Sequence, residues 1–196
     1  MGSASTRFVK SLLFNAVTLN AVTLALCAVA LPAATLERLS LDDMITKSTV
    51  IVRGKVLNSY TASSGPMIYT HYRVQVSETL KGSSTGAVDI QMPGGTANNL
   101  RQTFSGVPQL SAGDEFVFFL WTGKSGTAQV LGLTQGLFSV AKNGGADPIA
   151  TRAASTEVML EPGTARQVKD QTLTMHLNQL RSVIQATLAG SKGTGK

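Results

Sequence analysis

The chain has 196 residues, 43% hydrophobic and 14% charged, with 17 Lys and Arg against 11 Asp and Glu and a net charge of +6. The basic residues are scattered and form no run, which excludes a dedicated nucleic-acid surface, where Lys and Arg gather on one face. The single cysteine, Cys27, lies in the leading apolar segment. The rest of the chain therefore has no thiol for a disulfide framework, a cysteine nucleophile or a thiolate metal site.

The stretch from Met1 to Lys10 carries Arg7 and Lys10 and no acid, residues 11–31 are uncharged and largely apolar, and small residues run from Ala28 to Ala34. A basic start, an apolar run and a small-residue exit describe a secretory signal peptide over residues 1–34. Ala28-Val29-Ala30 fits the cleavage rule, and Ala33 and Ala34 compete with it. The alternative is a retained anchor, because the uncharged run approaches the length that spans a bilayer. Asn15, Thr18, Asn20 and Thr23 dilute that run, so cleavage is preferred. It predicts a secreted or periplasmic chain with no stable membrane span once the leader is gone. Leu26 is not the small residue that a lipoprotein signal needs before its cysteine. Without Arg7 and Lys10, 15 bases face 11 acids, a net charge near +4.

After the leader, residues 35–140 read as one β-barrel domain. Ser40 to Lys47 predicts a short helix: Ser40 can cap it, Asp42 and Asp43 suit its first turn, and Met44 and Ile45 form an apolar patch. Val50-Ile51-Val52 and Val56-Leu57 make the first strand, where Gly54 implies a bulge or a close backbone approach. Asn58 to Met67 reads as a polar turn. The organising stretch is Tyr69 to Gly82. Ile68, Thr70, Tyr72, Val74, Val76 and Leu80 alternate with Tyr69, His71, Arg73, Gln75, Ser77 and Thr79, the period of a half-buried strand, and Glu78 is the lone charge on the inner side. At about 3.3 Å per residue it spans roughly 43 Å, so it is expected to bend and serve two sides of a small barrel.

Val88, Ile90 and Met92 alternate in a third strand that Pro93-Gly94-Gly95 breaks, and residues 98–104 form a further strand. Glu115 to Trp121 is apolar on both sides, which predicts a strand covered on both faces, with Trp121 in the core. Val130 to Leu133 and Leu137 to Val140 are two more short strands. Residues 141–171 turn small and polar and read as a loop or crossover. Residues 172–189 form an amphipathic helix on which Leu173, Leu177, Leu180, Ile184 and Leu188 make one stripe. Docking of that stripe on the parent domain is preferred over a coiled-coil partner. Gly190 ends the helix, and residues 190–196 are a flexible tail.

Proton-transfer chemistry is sparse. His71 and His176, the two histidines, have no second histidine or acid at metal-ligand spacing, so no metal site and no cofactor are expected. Gly94-Gly95 and Gly144-Gly145 lack the context of a phosphate loop, and neither Ser105 nor Ser139 sits in a nucleophile elbow. The outward side of the long strand does offer a ligand-binding row: Tyr69, His71 and Arg73 can stack on planar groups and donate to carboxylates or hydroxyls. The competing reading of that row is a solvated face.

Val50-Ile51-Val52-Arg53-Gly54-Lys55-Val56, Glu78-Thr79-Leu80-Lys81-Gly82, Gly106-x-Pro108, Gly113 to Leu120 and Gly132-x-x-x-Gly136-x-Phe138 form a series in this order. Over Leu36 to Val140 that series resembles a family of exported, uncharacterised bacterial proteins. Over the first three strands it is similar to netrin-like domains and tissue inhibitors of metalloproteinases. The resemblance implies an OB-type barrel, closed or partly open, of about six or seven strands between a short N-terminal and a C-terminal helix. Those inhibitors chelate the protease metal through an N-terminal cysteine. The mature chain has none, so their mechanism does not carry over. Two readings of function stand: a non-catalytic module that binds a protein, peptide or glycan, and an envelope enzyme of hydrolase type whose site is not recognisable from spacing.

Overall fold

The computed structural model describes residues 35–193 apart from residue 125. The expected leader with Cys27, and the end of the expected tail, lie outside the described residues. The architecture is mainly β, with two helices. In chain order it runs β1 (Thr35–Glu37), α1 (Leu41–Lys47), β2 (Val50–Ser64), β3 (Met67–Lys81), β4 (Ala87–Pro93), β5 (Gly95–Ala97), β6 (Leu100–Gln102), β7 (Glu115–Thr122), β8 (Ala128–Val130), a 3-10 turn (Leu133–Gly136), β9 (Leu137–Asn143), β10 (Ala146–Arg152), β11 (Val158–Leu160), β12 (Gln167–Val168), β13 (Leu173–His176) and α2 (Leu177–Gly193).

Eight strands share one sheet in the order β13-β10-β9-β7-β2-β3-β4-β8. β8 lies parallel to β4 through Ile90 and Ala128, and it also pairs antiparallel with β7 from Leu120 to Thr122. Two small sheets accompany it: the β5–β6 hairpin, and β1-β11-β12, in which β1 runs parallel to β11.

α1 forms where its sequence predicts. The Asp43 N–H donates to Ser40 Oγ (3.0 Å) and the Ser40 N–H to Asp43 Oδ2 (3.2 Å), a reciprocal capping box. The Ser40 bonds hold the Asp43 carboxyl below its ordinary pKa. At the other end Lys81 Nζ donates to Ile45 O (2.6 Å) and Thr46 O (3.0 Å), satisfying orphan carbonyls of the last turn.

β7 supplies two cores, as its unbroken apolar run predicts. Phe118 and Leu120 face Val52, Val56, Tyr72, Val74, Ile90 and Met92. Val117 and Phe119 face Ile51, Phe138 and Ala150, which α1 covers with Met44 and Ile45 and α2 covers with Leu177, Leu180 and Ile184. At about 1.5–3 kcal/mol for each fully buried large side chain, these two layers are the main source of stability. β3 serves both: Tyr72 and Val74 are in the first core and Leu80 packs against the second. Register shifts that leave Leu57 extra in β2, and Ser77 and Leu80 extra in β3, bend the ribbon.

Several expectations are corrected. There are thirteen strands among the described residues, not six or seven. Residues 58–64 continue β2 rather than turning, because each pairs with β3 out to Ser64↔Met67. Residues 141–171 are not a plain loop: they carry the end of β9, then β10, β11 and β12. β10 holds Pro148 without breaking, since its register shifts between Ala146 and Ile149, where no ladder donor is required. Leu173 to His176 is strand, not helix, and α2 continues past Gly190. Trp121 is 47% exposed instead of core: it lies beyond Val117 and Phe119 on the same side of β7, and the helix-covered core that holds those two does not include it.

The excursion 153–172 is pinned by a buried ion pair. Arg152 Nη2 donates to Asp170 Oδ1 (2.7 Å) and to Gln171 O (2.7 Å), with the two side chains 3% and 1% exposed. Gln135, also buried, accepts from the Leu39 N–H (2.8 Å) and donates to Glu37 O (3.0 Å), tying β1 and the approach to α1 onto the sheet.

Candidate functional site

The two-residue loop Gly65-Pro66 sets the site. Gly65 takes φ +57 and proline holds φ negative, the sequence pattern of a II′ hairpin turn. Such a turn fixes which residues face each other: Asn58 lies opposite Arg73, Tyr60 opposite His71 and Ala62 opposite Tyr69. On the other flank β4 places Asp89, Gln91 and Pro93 opposite Arg73, His71 and Tyr69. The alternation that buries Ile68, Tyr72 and Val74 turns this set to the other face.

The three residues expected from sequence meet different surroundings. The His71 ring stacks on Tyr60, with centroids 4.8 Å apart and planes 6° from parallel. Tyr60 is 55% exposed, so the stack has a free outer face. Arg73 Nη1 donates to Asp89 Oδ2 in a pair about half open to solvent. Tyr69 borders a cavity of about 270 Å³ with Gln91, Pro93, Val107, Pro108 and Leu133. The sequence reading missed Tyr60, Gln91 and Asp89. Tyr60 had a signal: a two-residue loop at Gly65-Pro66 already pairs it with His71.

Two further cavities flank the segment from Thr103 to Leu110. The larger, about 470 Å³, is lined by Val107, Pro108, Leu110, Phe116, Leu137 and Ala153 together with the hydroxyls of Thr134, Ser139 and Thr151. Thr134 Oγ1 is buried there without a hydrogen-bond partner. The smaller, about 270 Å³, lies against Tyr72, Met92, Gly95 and Phe104. Val107 and Pro108 wall all three cavities. No carboxylate, imidazole, amine or guanidinium lines any of them.

His176 is exposed and sits 3.9 Å from Asp147, whose Oδ2 accepts the Asn178 N–H at the start of α2. Among the described residues no group of three or more His, Cys, Asp and Glu side chains is placed to hold a metal ion. None of the described helices is long and apolar enough to cross a membrane. No protein-family model matches the chain, and no curated protein matches it.

Proposed function

We propose that this chain is an exported, non-catalytic binding module, secreted or periplasmic, built on a small OB-type barrel. Support for the barrel comes from the pairings: β2, β3, β4, β8 and β7 are each hydrogen bonded to the next, and β7 returns to β2. An antiparallel three-strand meander with a parallel third-to-fifth pairing is the OB arrangement, and such barrels bind oligonucleotides and saccharides on the face of their second and third strands, here β3 with His71 and Arg73 and β4 with Asp89. The resemblance of residues 36–140 to exported bacterial proteins, and of the first three strands to netrin-like domains, points the same way.

The observation that carries the binding reading is the Tyr60–His71 stack on the outer face of β2 and β3, open on one side. A stacked ring pair presents a rigid apolar plate, and the Arg73–Asp89 pair beside it offers both a donor and an acceptor. Together they suit the ring face of a glycan or an aromatic residue of a peptide or protein. The cavities around Val107 and Pro108 carry apolar, hydroxyl and amide linings without proton-transfer groups, so these three suit binding rather than acid–base chemistry.

The test is an NMR titration of the protein with soluble peptidoglycan fragments and, separately, with short aromatic peptides. Binding is expected to shift the resonances of Tyr60, His71 and Arg73, and Tyr60→Ala with His71→Ala should weaken it by at least about tenfold while the fold is retained. Saturable binding by the double variant at parental affinity, or shifts confined to other surfaces, overturns the reading.

A further inference from the structure

The β2–β3 ribbon has one backbone edge that the described part of the chain leaves open. β2 pairs with β7 only from Val50 to Lys55. Val56 is the last covered residue: its N–H donates to Asp114 O (2.9 Å) and its carbonyl accepts from the Gly113 N–H (2.8 Å). From Asn58 to Ser64 the strand pairs with β3 on one side and, among the described residues, with no strand on the other.

Which groups point outward follows from the ladder. In β3 the Val76 N–H donates to Gly86 O and Ile68 O accepts from the Gly94 N–H, so its even-numbered residues address the β4 side. Its odd-numbered residues therefore address β2, and they lie opposite Asn58, Tyr60, Ala62 and Ser64. The alternate residues Ser59, Thr61 and Ser63 turn their N–H and C=O away from β3, where no backbone partner among the described residues meets them.

Natural sheet edges are protected by lysine, proline, shortness or a covering segment. Leu57-Asn58-Ser59-Tyr60-Thr61-Ala62-Ser63-Ser64 has no charge and no proline. We infer that this edge is an interaction surface whose occupant is a second copy of the same chain, paired antiparallel about a two-fold axis through Thr61.

Three features select a second copy over an unrelated extended peptide. The outward-facing residues are symmetric about Thr61, so Thr61 pairs with Thr61 and Ser59 with Ser63, giving roughly six ladder hydrogen bonds. The segment is neutral within a chain of net charge +6, so two copies meet here without like charges opposed. The two-fold also sets Tyr60 opposite Ala62 of the other copy and covers part of a ring that is 55% exposed. An added peptide would leave its own far edge open, whereas self-pairing leaves none. The continuous sheet so formed would carry the Tyr60–His71 stacks of both copies on one face.

Sedimentation velocity of the purified protein over about two decades of concentration tests this, with circular dichroism verifying that each variant is folded. The parent should show a monomer–dimer equilibrium. Ser59→Lys with Ser63→Lys sets lysines opposite one another across the two-fold and should weaken the dimer by about tenfold or more. Ser59→Lys with Ser63→Glu sets opposite charges together in the same register and should restore it. Ser63→Pro removes an outward N–H without touching a β2–β3 bond, and should also weaken the dimer. A parent monomeric at every concentration, or a dimer indifferent to all three variants, overturns the inference. So does a dimer that both charge variants weaken equally, since that denies the two-fold register.

Discussion

From Val50 to Val56, β2 buries Ile51, Val52, Gly54 and Val56; from Leu57 to Ser64 it fully buries nothing. The two halves belong to one strand and pair with one partner, yet different forces hold them. The first half lies between two cores, with Val52 on the Phe118 side and Ile51 on the Phe119 side. The second half is held by the Gly65-Pro66 turn, by pairing with β3, and by the β5–β6 hairpin docked on its inner face. There Thr61 Oγ1 donates to Thr96 O (2.6 Å), Thr70 Oγ1 to Gly94 O (2.8 Å), and the Ile68 N–H to Gln102 Oε1 (2.7 Å). Hydrogen bonds of this kind contribute about 0.5–1.5 kcal/mol each, well below the burial of a large apolar side chain. The covered half thus carries stability, whereas the projecting half buries no side chain fully.

The sharpest break of that comparison is Phe118→Ala. Phe118 is wholly buried against Val52, Val74 and Ile90, so truncation should cost about 3–5 kcal/mol in urea denaturation. A cost below about 1 kcal/mol would mean that the covered half is not where stability resides.

Next is the pair that fastens the excursion after β10. Arg152→Ala leaves the Asp170 carboxylate buried and unpaired, a loss of about 3 kcal/mol. Burial alone would raise the Asp170 pKa. The N–H groups of Ser155 and Gln171 and the Arg152 guanidinium more than offset it, so the carboxyl titrates below its ordinary 3.8. A carboxyl depressed in the folded state stabilises fully above its unfolded pKa, and that stabilisation fades as pH falls through the lower folded value. Acid titration of the folded protein should show this fading below about pH 4, and Asp170→Asn should abolish that component. An acid limb unchanged in Asp170→Asn would remove Asp170 as its source.

Gly54→Ala tests how closely β2 and β3 are joined within the covered half. A Cβ there would lie 2.6 Å from Gln75 O and 2.6 Å from Val74 Cγ1, so the β2–β3 ribbon would have to open. A loss of about 1–3 kcal/mol is expected. Differential scanning calorimetry showing no loss would mean that the ribbon opens freely, and that its covered half is no more rigid than its tip.

What was legible in the sequence follows the same division. β3 and β7 were readable because burial on one or both faces writes itself as alternation or as an apolar run. α1 was readable from Ser40 and Asp43, and the docked part of α2 from Leu177, Leu180 and Ile184. The projecting end of β2 was not, because Asn58 to Ser64 holds its strand geometry by pairing with β3 and has no core to fill. β10 to β12 were hidden likewise, with Pro148 tolerated at a bulge and Arg152 buried through a partner 18 residues away. Of the candidate site, the row on β3 was visible but its other half was not. Tyr60, Gln91 and Asp89 lie on neighbouring strands, and only register brings them beside His71 and Arg73.

The smallest expected effect is the most discriminating. Arg73 and Asp89 form an ion pair on the open face, with side chains 46% and 45% exposed. Exposed pairs gain little over hydration and lose side-chain freedom, so Arg73→Ala should cost under about 0.5 kcal/mol by denaturant titration, and less still in high salt. Asp89→Asn should be equally mild for stability. It withdraws the carboxylate that neutralises the guanidinium and leaves Arg73 free to meet an acidic group of a ligand. Affinity for an acidic peptide or glycan should therefore rise in Asp89→Asn at low salt and fall in Arg73→Ala. If Arg73→Ala instead costs more than about 1 kcal/mol, the outer face of the ribbon is itself holding the fold, and the distinction between its two halves fails where it matters for binding.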